Sequence, residues 1–232
     1  MKNTYTYPTE YFLREGRENL ESCLNAALES AAAHSAEKVV IFTSAGLGVR
    51  KALEAIDSNE RYANLKIIAV TFPSNTTLPA GSPQDHLISP ETAASLTNRG
   101  IPIVRAHLPF APVKAHHEGH GLLGQDFSLL GNALNMFCGS MSLCVQAVLL
   151  ACDAGHIELG EHVVAMTSDT AILARAAGTS RLLTDLIIRE IICKPVLLTI
   201  SKSEKLEDET ATESAQPEEV SIPILDLEAS SD

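Results

Sequence analysis

Two kinds of apolar pattern alternate along the chain. Leu20, Cys23, Leu24, Ala27, Leu28 and Ala31 recur at helical spacing, with Glu18, Glu21 and Glu29 among the intervening polar positions, which predicts an amphipathic helix of about four turns. Lys38-Val-Val-Ile-Phe42 is instead a short continuous run rich in β-branched side chains, the pattern of a strand buried on both faces of a parallel sheet. The loop Thr43-Ser-Ala-Gly-Leu-Gly48 then opens a second helix carrying Val49, Ala52, Leu53 and Ile56.

The alternation continues. Lys66 to Phe72 is a second strand, and Ser89-Pro90-Glu91 combines an N-cap, a proline at the first helical position and an acid in the first turn. That helix is expected to stop at Gly100, ahead of a third strand over Ile101 to Arg105. The Gly- and His-rich stretch from Ala106 to Gln125 reads as irregular loop. A helix from about Leu129 to Cys152 follows, broken near Gly139-Ser140 and apolar almost all round, hence buried. His162 to Met166 and Thr170 to Ala174 read as a fourth and a fifth strand, Ser180 to Ile188 as helix, and Glu190 to Thr199 as a closing strand near a sheet edge, because Pro195 lacks the N–H a ladder needs. Strands alternating with helices define an α/β protein with a mostly parallel, doubly covered sheet.

Composition agrees with one such domain. Of 232 residues, 45% are hydrophobic and 20% charged, enough apolar material for a sizeable core. Only 4% are aromatic, none of them Trp, so a stacking platform for single-stranded nucleic acid is not expected. The net charge of −12 repels nucleic acid and anionic membranes alike. Most of that excess falls after Ile200, where two lysines face ten acids in a polar, Pro-containing segment expected to be disordered. The division is therefore 1–200 for the α/β domain and 201–232 for an acidic tail. Within that tail Val220 to Leu227 forms an apolar island able to add a strand to a protein partner. The first 21 residues lack the apolar stretch of a signal peptide, and Met136 to Cys152 is too short and too interrupted to span a membrane. The five scattered cysteines have no zinc spacing and read as reduced core residues, so the expected compartment is the cytoplasm.

Candidate chemistry is sparse. Thr43, Ser44, Gly46 and Gly48 lie between a strand and a helix, where glycines let a ligand approach the backbone and the helix start offers N–H groups to an anion. This is a phosphate loop in outline only, lacking both the P-loop lysine and the G-x-G-x-x-G fingerprint, and an ordinary tight turn fits it too. Thr167, Ser168 and Asp169 join two strands and supply hydroxyls and a carboxylate, but a hairpin connection explains them without a ligand. His116-His117-Glu118-Gly119-His120 does not place two histidines on one helical face and reads as solvated loop rather than a metal site. His107 reads as a capping or packing histidine. Cys193 stands beside Lys194, yet its apolar neighbours favour a structural thiol. No G-x-S-x-G elbow or other catalytic constellation is present.

Taken in order and spacing, VVIFTSAGLGVRKAL, KIIAVTFPSNT, LTNRGIPIVRAHL, HVVAMTS and DTAILAR resemble the C-terminal domain of pyruvate kinase. The closer likeness is to small standalone prokaryotic proteins similar to that domain, over roughly Glu18 to Pro195. The resemblance implies a three-layer α/β/α fold with strand order 3-2-1-4-5 and the last strand antiparallel, which brings Thr43–Gly48 and Thr167–Asp169 to one crevice. In pyruvate kinase those loops hold a phosphorylated allosteric effector. The catalytic barrel of that enzyme, with its metal and phosphoenolpyruvate residues, has no counterpart here. The effector loop commonly reads T-x-S-G-x-[ST]; Thr43 and Gly46 match, whereas Ala45 and Gly48 replace hydroxyls. Only Thr167-Ser168 stands where the standalone relatives carry a Gly- and Arg-rich insert.

Three functions follow as expectations. The first is a non-catalytic module binding a phosphorylated metabolite or nucleotide, flavin mononucleotide included, as a homo-oligomer. The second is a structural or interaction protein with a degenerate site and a working tail. The third is an uncharacterised enzyme using Asp169, His107 or Cys193.

Overall fold

The computed structural model describes residues 4, 6–74, 76, 87–110 and 128–196. These belong to one compact unit, Met1–Leu198. The tail over 201–232 and the histidine cluster at 116–120 lie outside the described residues. In chain order the elements are β1 (Glu10–Phe12), α1 (Leu20–Ala33), β2 (Lys38–Phe42), α2 (Leu47–Ser58), β3 (Lys66–Thr71), α3 (Pro90–Asn98), β4 (Ile103–Arg105), α4 (Ser128–Asn135), α5 (Met141–Asp153), β5 (His162–Met166), β6 (Ala171–Arg175), α6 (Leu182–Asp185) and β7 (Ile187–Pro195).

The seven strands form one sheet of order β1-β7-β6-β5-β2-β3-β4. The expected run is present inside it: counted from β2, the order β4-β3-β2-β5-β6 is 3-2-1-4-5. Two strands extend it. β6 runs antiparallel to both its neighbours, while the other pairings are parallel. The antiparallel strand is therefore the third from one edge rather than the last in the sheet. β7 lies near an edge as expected, second in the sheet, with β1 outside it in register Glu10↔Cys193 to Phe12↔Pro195. Pro195 is accommodated by ending the strand, and the ladder passes to the Val196 N–H, which donates to the Phe12 carbonyl at 2.9 Å.

Side chains of the buried strands alternate between two cores. Val39 and Ile41 of β2 and Ile67 and Ala69 of β3 face the layer built by α1, α2 and α3. Val40, Phe42, Ile68 and Val70 face the layer dominated by α5. The predicted face of α1 is the buried one: Leu20, Cys23, Leu24, Ala27, Leu28 and Ala31 are all buried. α3 begins as expected, with the Ser89 hydroxyl accepting from the Thr92 N–H at 3.1 Å.

Two expectations are corrected here. The long helix is two helices, and only α5 is buried almost all round. α4 and its exit expose Leu129, Met136 and Phe137. Within α5 the buried Gln146 is satisfied: its Oε1 accepts from the Phe110 N–H at 2.8 Å and its amide donates to the Ser142 carbonyl at 3.1 Å. The segment read as helix over Ser180 to Ile188 is a 3₁₀ turn, the single turn of α6, and then β7 from Ile187. Leu182 is the buried residue of that turn and Leu183 points to solvent, so too little apolar surface is covered to extend the helix.

Candidate functional site

β2 and β5 are parallel neighbours in register Val39↔Val164 to Ile41↔Met166, and the sheet order reverses between them. Open α/β sheets bind ligands beyond the carboxyl ends of strands at such a point. Two loops leave there, Thr43–Gly46 from β2 and Thr167–Thr170 from β5.

The first loop is set by its own backbone. The Thr43 N–H extends the ladder to the Val70 carbonyl at 2.9 Å, and the Thr43 hydroxyl accepts from the Gly46 N–H at 2.9 Å. Gly46 sits at φ 87, a left-handed turn open to glycine at little cost, and becomes the N-cap of α2. No side chain caps this helix end, where Leu47, Gly48 and Val49 are the leading amides. A Cβ on Gly48 would lie 3.3 Å from Ile41 Cγ2 and 3.6 Å from Leu20 Cδ1, so glycine lets the helix start sit close on β2 and α1. In the second loop the Thr167 N–H donates to the Thr170 carbonyl at 2.8 Å, closing a tight hairpin.

Between the loops lies a cavity of about 430 Å³. Thr43, Ser44, Gly48, Thr167 and Ser168 line it, so five of the seven expected residues converge. Gly46 and Asp169 do not line it. Gly46 faces α3, where Thr92 Cγ2 stands 3.0 Å from the position of a Cβ. Asp169 is 3% exposed and its carboxylate accepts from Thr170 Oγ1 at 3.1 Å, Thr167 Oγ1 at 3.3 Å and the Gly16 N–H at 3.0 Å. Its role is to hold the turn.

Residues not expected from sequence complete the cavity. Phe42 and Phe72 meet edge to face, 5.2 Å between ring centres, and with Leu143 form an apolar wall. Arg17 and Arg50, both exposed, add two guanidinium groups. Among the described residues no carboxylate lines this cavity. Arg50 was detectable in principle, as a cation in the first turn of a helix whose start was already suspected. Arg17 carries no local signal, because it comes from the segment ahead of α1.

The remaining candidates are structural by environment. The Cys193 side chain is fully buried, with Sγ 3.4 Å from Cys23 Sγ, and Lys194 Nζ donates to the Phe137 carbonyl at 2.9 Å instead. The hydrogen bond from Cys193, then burial, push the Cys23 thiol well up, and burial does the same to Cys144. Burial also raises Cys138. Such thiols are poor nucleophiles at neutral pH. His107 is exposed. Among the described residues no group of three or more His, Cys, Asp or Glu could hold a metal, and no helix is long and apolar enough to cross a membrane.

The fold is thus an α/β protein with a cleft at the switch point of a mostly parallel sheet. No family model matches the sequence. Among solved structures the chain is similar to two pyruvate kinases of Cryptosporidium parvum. One, in complex with ADP, gives a TM-score of 0.32 at 16% identity over 68% of this chain and 24% of that one. The other gives 0.30 at 18% identity over 74% and 23%. The chain spans about a quarter of the length of those enzymes, and what its own cleft binds has to come from its own residues.

Proposed function

We propose that this chain is a non-catalytic binding module, related to the pyruvate kinase effector domain, that holds a phosphorylated small molecule across the Thr43–Gly48 and Thr167–Ser168 loops. The observation that carries the reading is the charge of the cleft. In a protein of net charge −12, one cavity collects two arginines, four hydroxyl side chains of the two loops and an uncapped helix start, with no carboxylate among its described lining residues. That set recognises an anion through charge-assisted hydrogen bonds and the helix dipole.

Magnitudes define the rest of the ligand. Two guanidinium contacts of about 1.5–3 kcal/mol each and about 0.3–1 kcal/mol from the helix end sum to about 3–7 kcal/mol, and once the cost of association is subtracted they reach no further than the roughly 4 kcal/mol of a millimolar complex. Tighter binding needs the apolar wall of Phe42, Phe72 and Leu143. A phosphate ester with a flat or apolar body, of which flavin mononucleotide and adenosine monophosphate are examples, uses both halves of the cleft. Among the described lining residues no His, Cys, Lys, Asp or Glu stands ready to activate the hydroxyls, which supports binding without turnover.

The test is isothermal titration with inorganic phosphate, a sugar phosphate, adenosine monophosphate and flavin mononucleotide, each against its dephosphorylated counterpart where one exists. Phosphate esters are expected to bind and adenosine and riboflavin to bind at least about tenfold more weakly. Silence from every phosphorylated compound overturns the proposal.

A further inference from the structure

Arg17 reaches the cleft on a strap, residues Leu13 to Arg17, that belongs to neither binding loop. Two carboxylates fasten this strap, each to a backbone amide. On the strap itself, Glu15 Oε1 accepts from the Gly139 N–H at 3.0 Å, next to Ser140 at the head of α5, another cleft residue. From the β5–β6 turn, Asp169 Oδ2 accepts from the Gly16 N–H at 3.0 Å, one residue before Arg17. The other Asp169 oxygen is occupied by the Thr167 and Thr170 hydroxyls, and Thr167 is itself a cleft residue. Asn19 Nδ2 closes the strap's far side on the Arg14 carbonyl at 2.7 Å.

Asp169 is 3% exposed, and a carboxylate so buried is costly unless its acceptor sites are filled. Here three donors fill them, and one of the three is a strap amide 153 residues away in sequence. Loss of that bond removes the tie on the residue before Arg17, which opens the 3₁₀ turn Arg17–Asn19, and leaves Arg50, which is carried by α2, untouched. We infer that Asp169 is a positioning residue for anion binding, which acts through the Gly16 amide to hold Arg17 at the cleft and touches no ligand itself. The inference rests on the binding function proposed above and assigns to Asp169 a role distinct from the ligand contact its chemistry first suggests.

The consequence is a specific pattern of coupling. Phenyl phosphate, which offers one phosphoryl group and one ring, serves as the probe, and its affinity for the full chain is read from amide chemical-shift titration. Arg17→Gln and Arg50→Gln are each expected to weaken binding about three- to tenfold. Asp169→Ala is expected to weaken it by as much as Arg17→Gln. Combined with Arg17→Gln it adds nothing further, whereas combined with Arg50→Gln its effect multiplies in full. Asp169→Asn keeps an oxygen for the Gly16 amide and lets the two hydroxyls turn as acceptors, so it restores affinity to within about twofold of the native chain. If Asp169→Ala does not fold, Asp169→Ser replaces it, retaining a hydroxyl near Thr167 and Thr170 but falling short of Gly16.

Equal multiplication of the Asp169 effect in the Arg17→Gln and Arg50→Gln backgrounds, or no effect of Asp169→Ala at all, overturns the inference while leaving the binding function standing. A native chain that does not bind phenyl phosphate, or binds it equally well without both arginines, overturns the binding function and the inference together.

Discussion

The two ends of the same strands carry two cavities of similar size, each lined by cations. At the amino ends of β2 and β3, Lys38, Lys66 and Arg99 line a cavity of about 350 Å³ with an apolar floor of Leu53, Ile56 and Ile67. Every one of those cations has a carboxylate: Lys38 pairs with Glu161 at 2.8 Å, Lys66 with Glu37 at 3.4 Å, and Arg99 with Asp57 at 2.7 Å. At the carboxyl ends of β2 and β5, Arg17 and Arg50 line a cavity of about 430 Å³ with no acid among its described lining residues. On the proposed function the carboxyl rim receives negative charge. Volume does not separate the two cavities; their described linings do, since Asp57 is part of the amino-end lining and no carboxylate is part of the other.

The largest expected difference is in anion affinity. Reversing both cleft arginines (Arg17→Glu with Arg50→Glu) should weaken phenyl phosphate binding about a hundredfold, some 2.7 kcal/mol, while Arg99→Glu at the other rim leaves it unchanged. A comparable loss from Arg99→Glu would erase the distinction between the rims. Next come the two left-handed glycines. Gly46 carries φ 87 and would bring a Cβ to 3.0 Å from Thr92 Cγ2, whereas Gly100 at φ 75 opens on empty space. In urea unfolding, Gly46→Ala is expected to cost about 2 kcal/mol and Gly100→Ala about 1 kcal/mol. Equal costs would mean that α3 yields at Thr92.

A smaller effect runs the other way across the molecule. Lys38 and Glu161 are 19% and 23% exposed, so Lys38→Met strands a half-buried carboxylate and should lower stability by about 1 kcal/mol without touching affinity. Arg50→Met on its exposed helix turn should stay within about 0.5 kcal/mol of native stability while losing affinity.

The smallest expected effect concerns the thiols, which divide by rim as well. Cys23, Cys138, Cys144 and Cys193 are buried beneath the cleft end, while Cys152, near the end of α5, is partly exposed. Iodoacetamide should modify Cys152 first, and modification of Cys144 at a similar rate would show that the cleft floor opens. Burial raises the Cys144 thiol, so its folded form keeps a proton that the unfolded chain releases around the ordinary value of 9.0. Its contribution to stability is full below that pH and declines as pH rises from there toward the raised folded value. The alkaline decline of stability should accordingly be shallower in Cys144→Ala.

What could be read from sequence was what local pattern encodes. Val39 to Phe42 and Ile67 to Val70 are buried strands because unbroken β-branched runs fit nothing else of that length. The face of α1 follows from its period, and the start of α3 from Ser89-Pro90. β1 was illegible because two of its three residues are exposed and its existence depends on the free edge of β7. The helix expected to reach Ile188 yielded to a strand because Ile187 onward gains a ladder with β6, joined from Cys193 by a second one with β1. At the cleft, sequence found the two loops but assigned Asp169 to the ligand, since a carboxylate beside hydroxyls looks the same whether it faces a guest or a backbone amide. Gly16, which completes its hydrogen bonds, is 153 residues away, and no local pattern announces a partner at that distance.

The central claim is that the carboxyl rim, and not the amino rim, receives a phosphoryl group. Amide chemical-shift mapping of the native chain with phenyl phosphate tests it in one titration. Shifts are expected at Ser44, Gly48 and Ser168, with Lys66, Arg99 and Gly100 silent. Shifts confined to Lys66, Arg99 and Gly100, or none anywhere up to about ten millimolar probe, would contradict it.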